Sequence, residues 1–178
     1  MAATMAATGR ASSLLPGLLP SFVRIVTIRG ITAGSEQMAT PEELWMAWIR
    51  AYNERNEGGM RAVMAPDFHY ERPGTVVDGA EETIAFFMAE CAVFPDGRLD
   101  VQKVISSGDH VVTECTYTTT HTVPFSLPDG STIPPTGRRA VLPCATIARA
   151  KDGLLVSNRA YWDNLDMFAQ LGWPVPGA

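Results

Sequence analysis

The chain has 178 residues, 46% of them hydrophobic and 19% charged, with a formal net charge of −5. That balance suits one globular domain with a core of its own and leaves little room for two. The negative charge and the lack of any Lys/Arg cluster argue against nucleic acid or an anionic membrane surface as the main partner, because phosphate binding needs a concentrated basic face. A hydrophobic small molecule fits better.

The first 37 residues are rich in Ala, Thr, Ser, Leu and Gly and carry Arg10, Arg24 and Arg29 but no acid before Glu36. Their apolar run, Leu14 to Pro20, is broken by prolines and too short to span a bilayer. This composition predicts an extension outside the core domain, either an organellar targeting segment or the product of an over-called start. A domain start falls at Met38: Thr40 is placed to be an N-cap, Pro41 the first helical residue and Glu43 the acid of a capping box. The domain is expected to run from Met38 to Gly172, with residues 173–178 as a tail.

From Pro41 to Arg55, Leu44, Trp45, Trp48, Ile49, Ala51 and Tyr52 recur at helical spacing and predict an amphipathic helix ended by Gly58-Gly59. A short helix over Met60 to Met64 follows and stops at Ala65-Pro66-Asp67. Phe68 to Arg72 then reads as a strand entering a Pro73-Gly74 turn. A third helix, from about Ala80 to Ala92, carries Ile84, Phe87, Met88 and Cys91 on one stripe and ends before Phe94-Pro95-Asp96-Gly97.

Beyond Gly97 the period changes to alternation, with strands predicted at Arg98 to Ser106, His110 to Thr122, Arg138 to Ala150 and Leu154 to Asp163. Turns are signalled at Gly108-Asp109, Asp129-Gly130, Pro134 to Gly137 and Asp152-Gly153. Leu165 to Leu171 reads as a helical tail. Helices followed by a long antiparallel meander indicate an α+β domain, with strands long enough to curl around the helices and enclose a pocket.

Cys91, Cys115 and Cys144 form an odd set without CxxC spacing, which predicts small core thiols kept reduced in a cytoplasmic protein. The three scattered histidines, with no HExxH and no carboxylates at ligand spacing, predict no metal. Gly58-Gly59 lacks the strand-turn-helix context of a phosphate loop, so no nucleotide cofactor is expected, and no local signature supports a covalent nucleophile.

The segments Phe94-Pro95-Asp96, Thr120-His121-Thr122, Pro135-Thr136-Gly137-Arg138, Asp152-Gly153, Tyr161-Trp162-Asp163-Asn164 and Gln170-Leu171-Gly172 occur in that order. Over Pro41 to Gly172 the chain resembles the SnoaL-like polyketide cyclase family. The resemblance implies an NTF2-like cone, a curved antiparallel sheet wrapped by three N-terminal helices around an internal pocket, and a homodimer. It also implies a cofactor-free intramolecular aldol ring closure in which a final-strand aspartate, here Asp163, is the general acid/base. Because the fold hosts several reactions and also binding modules, two alternatives stand beside the cyclase. One is an isomerase or epoxide hydrolase acting on a small hydrophobic substrate, and the other is a non-catalytic binding module.

Read from the residues, an acid beside Tyr161 and Trp162 is poorly solvated and its pKa rises toward the useful range; the competing reading makes Asp163 the N-cap of the last helix. His121, in the Thr-His-Thr motif, is the second catalytic candidate. Tyr52, His69, Phe87, Asn158, Arg159, Tyr161 and Trp162 are the expected substrate-binding set. Many relatives carry tryptophan where this chain has Arg159. Strand alternation puts Arg159, Tyr161 and Asp163 on one face unless a bulge intervenes, so Arg159 is expected either to hold a substrate oxygen beside Asp163 or to pair with it.

Overall fold

The computed structural model describes residues 38–127 and 130–174; the expectations for residues 1–37 and for the end of the tail lie outside the described residues. The first helix, α1 (Pro41–Asn53), opens as its sequence requires. The Thr40 hydroxyl accepts from the Glu43 amide, and the Glu43 carboxylate accepts from the Thr40 amide at 2.8 Å. Its buried stripe stacks Trp45 on Trp48 and Trp48 on Tyr52, with centroids 4.9 and 5.7 Å apart.

The next turn differs from expectation. Gly58-Gly59 does not end α1; both glycines lie inside α2 (Glu57–Arg61), capped by Asn56. A β-carbon on Gly59 would stand 2.9 Å from that of Ala51, so this glycine serves the close approach of α1 and α2 rather than a helix stop. Between the two helices Arg55 takes a left-handed φ of 58°. Its guanidinium donates to the carbonyls of Tyr52, Phe94, Pro95 and Gly97, which ties the end of α1 to the loop at Phe94 to Gly97.

The segment Ala65-Pro66-Asp67 is likewise not a turn but part of β1 (Met64–Arg72). Pro66 is tolerated because the pairing register shifts between Met64 and His69, and a bulge removes the need for the missing amide. A tight turn at Pro73-Gly74, with Gly74 at φ 79°, leads to β2 (Thr75–Asp78), and α3 follows at Ala80–Val93. The remaining elements are β3 (Arg98–Ser107), β4 (His110–Thr120), the small hairpin β5 (Phe125–Ser126) and β6 (Thr132–Ile133), β7 (Arg139–Lys151), β8 (Leu154–Tyr161) and α4 (Asn164–Leu171).

The strands form a six-stranded sheet in the order β2-β1-β8-β7-β4-β3. All neighbours are antiparallel except β1 and β8. The expected meander thus accounts for β3, β4, β7 and β8, and the parallel seam with β1 is what draws the early strand against the late ones. One face of the sheet curves around α1, which touches β3, β4, β7 and β8, while α3 packs on β1. With α1, α2 and α3 ahead of the long strands and α4 behind them, the mixed architecture is the one expected, with one more helix than the three of the resemblance.

Two apolar clusters fill the interior. The larger joins the α1 and α3 aromatics to Phe68, Tyr70 and Leu155. The smaller gathers Phe94, Ala140, Leu142, Leu171 and Trp173. Trp173 lies one residue past the expected boundary at Gly172, yet it is buried between Phe125 and Phe168.

Candidate active site

A cavity of about 90 Å³ opens between α1, α3 and the inner face of the sheet. A water needs roughly 10–15 Å³ of such space, so the cavity has room for more than a single solvent molecule. Its wall is aromatic: Trp45, Trp48 and Tyr52 from α1, Phe87 from α3, Tyr70 from β1 and Trp162 after β8. Those on a helix or strand face inward because helical spacing or strand alternation leaves them on the buried side of their element.

One ion pair stands inside this apolar wall. Arg72, the last residue of β1, meets Glu90 of α3 at 2.6 Å, with the side chains 18% and 27% exposed. The Arg72 guanidinium also lies over the rings of Phe86 and Trp162, at 4.7 and 5.2 Å from their centroids, a placement that suits a delocalised cation. Burial raises the pKa of Glu90, and the charge and hydrogen bonding of Arg72 only partly offset it. Among the described residues Glu90 is the one carboxylate lining the cavity.

Three phenols join it. Burial raises Tyr52 and Tyr70, and pushes Tyr117 up to about 12, so all three are neutral hydrogen-bond donors at physiological pH. Tyr52 interacts with Tyr117, and Tyr70 with Arg72. Gly97 leaves room for the Tyr117 hydroxyl, which any β-carbon there would strike. Asn158 of β8 and Thr146 of β7 complete the polar lining, together with Cys144.

Of the expected site residues, Tyr52, Phe87, Asn158 and Trp162 come together at this cavity. The others do not. Asp163 is exposed and caps α4, its Oδ1 accepting from the amides of Leu165 and Asp166 at 2.8 and 3.1 Å. The expectation of a poorly solvated acid therefore fails, because the chain leaves β8 at Tyr161 and Asp163 belongs to the helix that follows. Arg159 does not approach Asp163 either; it points outward and donates to Glu71, its cross-strand partner, at 2.7 Å. The register of β8 with β7 shifts between Arg149 and Ala150, ahead of Ser157; from Ser157 to Tyr161 the pairing is regular, so alternation sets Asn158 inward and puts Arg159 and Tyr161 together on the outer face.

His69 sits on the same outer face, 2.6 Å from Asp78. Tyr161 is exposed there too, 48% accessible. His121 is wholly buried, but in the smaller cluster rather than at the cavity. Its Nδ1 accepts from the Trp173 indole at 3.1 Å and from the Thr136 amide. Burial lowers its pKa, with the backbone at Val123 acting the other way.

Several motif segments likewise prove to hold the fold together. Asp96 accepts from Thr119 and from the Thr120 amide. Gln170 bonds both backbone groups of Val141 and pins α4 to β7. Gly172, at φ 71°, ends α4 with Arg138 against it. Sequence reading missed Arg72, Glu90, Tyr70 and Tyr117. The available signal for Glu90 was its position three residues after Phe87 on the inward stripe of α3, which makes it a polar residue on an apolar face.

Solved structures share this fold. A crystal structure of IdmH, a proposed polyketide cyclase from Streptomyces antibioticus, superposes with a TM-score of 0.66 at 30% identity, over 75% of this chain and 99% of that one. The structure of a proposed SnoaL-like polyketide cyclase from Jannaschia sp. CCS1 gives 0.67 at 24% identity, over 76% and 93% of the two chains. AclR from Streptomyces galilaeus, described as a proposed hydroxylase, gives 0.63 at 24%, over 76% and 98%; at that identity these last two speak for the fold alone. No curated protein matches the chain. The family of SnoaL-like polyketide cyclases matches residues 42–171, and with the cavity-bearing NTF2-like fold around it the chain belongs to that family.

Proposed function

We propose that the protein is a cofactor-independent cyclase that closes a ring by intramolecular aldol-type addition on a polyketide-like carbonyl compound, with Glu90 as general acid/base. The observation that carries this reading is a carboxylate of raised pKa in an aromatic cavity beside a fixed guanidinium. A substrate carbonyl that takes the place of Glu90 on Arg72 frees the carboxylate, which then removes the proton alpha to that carbonyl. The enolate charge falls on an oxygen held by Arg72 and the neutral phenols. The enolate carbon attacks a second carbonyl of the same molecule, and Glu90 returns its proton to the new alkoxide, so the reaction is an isomerisation with no net loss of atoms. The aromatic wall holds a flexible chain in the folded conformation that ring closure needs.

The family resemblance gives this task to the aspartate at Asp163, so the test sets the two acids against each other. The measurement is hydrogen-deuterium exchange, followed by proton NMR, at the carbon alpha to the carbonyl of an aromatic 1,3-diketone probe. Wild-type protein is expected to accelerate exchange, Glu90→Gln to lose about 100-fold or more, and Asp163→Asn to keep nearly all of it. The opposite pattern would return the role to Asp163. Tight binding of the probe with no exchange in the wild type would leave a non-catalytic binding module.

The same reading makes the protein a homodimer. Val141, Ile147 and Tyr161 are exposed on the outer face of β7 and β8, where a second copy would cover them. Sedimentation equilibrium returning a single-chain mass would remove this part of the proposal.

A further inference from the structure

Cys115 of β4 and Cys144 of β7 are direct cross-strand partners. Their Sγ atoms are 2.8 Å apart, and both are free thiols. Cys144 lines the cavity, while Cys115 is buried behind it. Directly opposed residues of an antiparallel pair have Cα atoms about 4.5–5.5 Å apart, inside the ~4.4–6.8 Å span of natural disulfides, so a bond between them needs no movement of either strand. The remaining thiol, Cys91, is on α3 and packs in the larger apolar cluster.

The two thiols perturb each other. The Cys144 thiol beside it holds Cys115 below the usual thiol range, whereas Cys144 is raised by that same contact and by burial. Disulfide formation consumes one sulfur as thiolate and the other as thiol, and Cys144 is the one that the cavity exposes.

We propose that Cys115 and Cys144 form a reversible disulfide in the cavity wall, made by a small hydroperoxide that enters through the cavity. One thiolate attacks the peroxide oxygen, the O–O bond breaks, and an alcohol (or water, from hydrogen peroxide) leaves as a sulfenic acid forms. The second thiol attacks that sulfur, the S–S bond forms and water leaves, so two thiols are oxidised and one peroxide is reduced. The product staples β4 to β7 and removes a thiol from the lining of the cavity. The proposal is independent of the role given to Glu90.

The test treats the full chain with tert-butyl hydroperoxide, alkylates it under denaturing conditions and maps tryptic peptides. Cleavage at Lys103, Arg138 or Arg139, and Arg149 puts Cys115 and Cys144 on separate peptides and leaves Cys91 on a third. The expected result is a linked Cys115–Cys144 peptide pair, two hydrogens lighter than the sum of the free peptides, split again by dithiothreitol, with Cys91 alkylated throughout. Occupying the cavity with the fluorescent probe 1-anilinonaphthalene-8-sulfonate should slow its formation. Recovery of Cys115 and Cys144 as free thiols, or of Cys144 only as sulfinic or sulfonic acid, would overturn the proposal, and so would a linkage that forms equally well in Cys144→Ser.

Discussion

Glu71 and Arg72 are chain neighbours at the end of β1, and each belongs to an ion pair of nearly the same length. Arg72 meets Glu90 at 2.6 Å inside the aromatic cavity, and Glu71 meets Arg159 at 2.7 Å on the outer face of the sheet. The contacts match, but the surroundings do not. Inside, desolvation dominates and raises the acid; outside, the Arg159 side chain is 56% exposed and solvent screens the pair. Pairing alone therefore does not mark a site. What distinguishes the inner pair is a charge kept where water is scarce, since there the pair costs solvation.

The comparison breaks most clearly with single deletions. Arg72→Ala strands the Glu90 carboxylate in an aromatic wall, and breaking a buried pair costs about 3–5 kcal/mol. Because this pair is partly accessible we expect about 2–3 kcal/mol in chemical denaturation, with the Glu90 pKa rising further in NMR titration. Unchanged stability would place the pair in water and undo the contrast.

Asp163→Ala should cost about 1 kcal/mol, the ordinary loss of a helix cap, and fray α4 in amide exchange. A larger loss confined to activity would instead point to chemistry at Asp163.

A pH effect sharpens the division between the two clusters. His121 is held neutral at the Trp173 end, with its folded-state pKa lowered by burial. Its contribution to stability is full above the unfolded-state value of about 6.5, and is lost as pH falls from there through the folded-state value. Thermal denaturation should therefore show stability declining below neutral pH, and His121→Phe should remove that part of the slope. An identical slope in the variant would rule His121 out as its source.

The smallest effect is expected outside. Arg159→Ala should change stability by no more than about 1 kcal/mol, with the loss fading in high salt.

Much of the scaffold was legible in the sequence, because its signals are local. The Thr40 to Glu43 capping box, the stripe through Trp45, Trp48 and Tyr52, and the glycine turn after β1 all depend on residues within a few positions of each other. Where reading failed at α2 and β1, the deciding partner was remote. Gly59 answers to Ala51 packed against it, and Pro66 to a register shift against β8. The candidate site was half legible: Tyr52, Phe87, Asn158 and Trp162 show their inward face through spacing, whereas His121 and Asp163 stood out by motif and lie away from the cavity, one buried against Trp173 and one capping α4.

The sequence by itself determined the mixed helix-and-strand class, the order of its main elements, the family and the aromatic stripe of α1, since helical and strand periods and ordered motifs are written along the chain. Only the tertiary structure decided which carboxylate meets the cavity. The end of β1 and the last turn of α3 are 18 residues apart between Arg72 and Glu90, and their approach depends on how the sheet curves and how α3 lies on β1. The parallel seam between β1 and β8 likewise drew Arg159 to Glu71 and away from Asp163, and the β4–β7 register set Cys115 opposite Cys144. Desolvation and cross-strand pairing are properties of neighbours in space, so they appear when the chain is folded and not before.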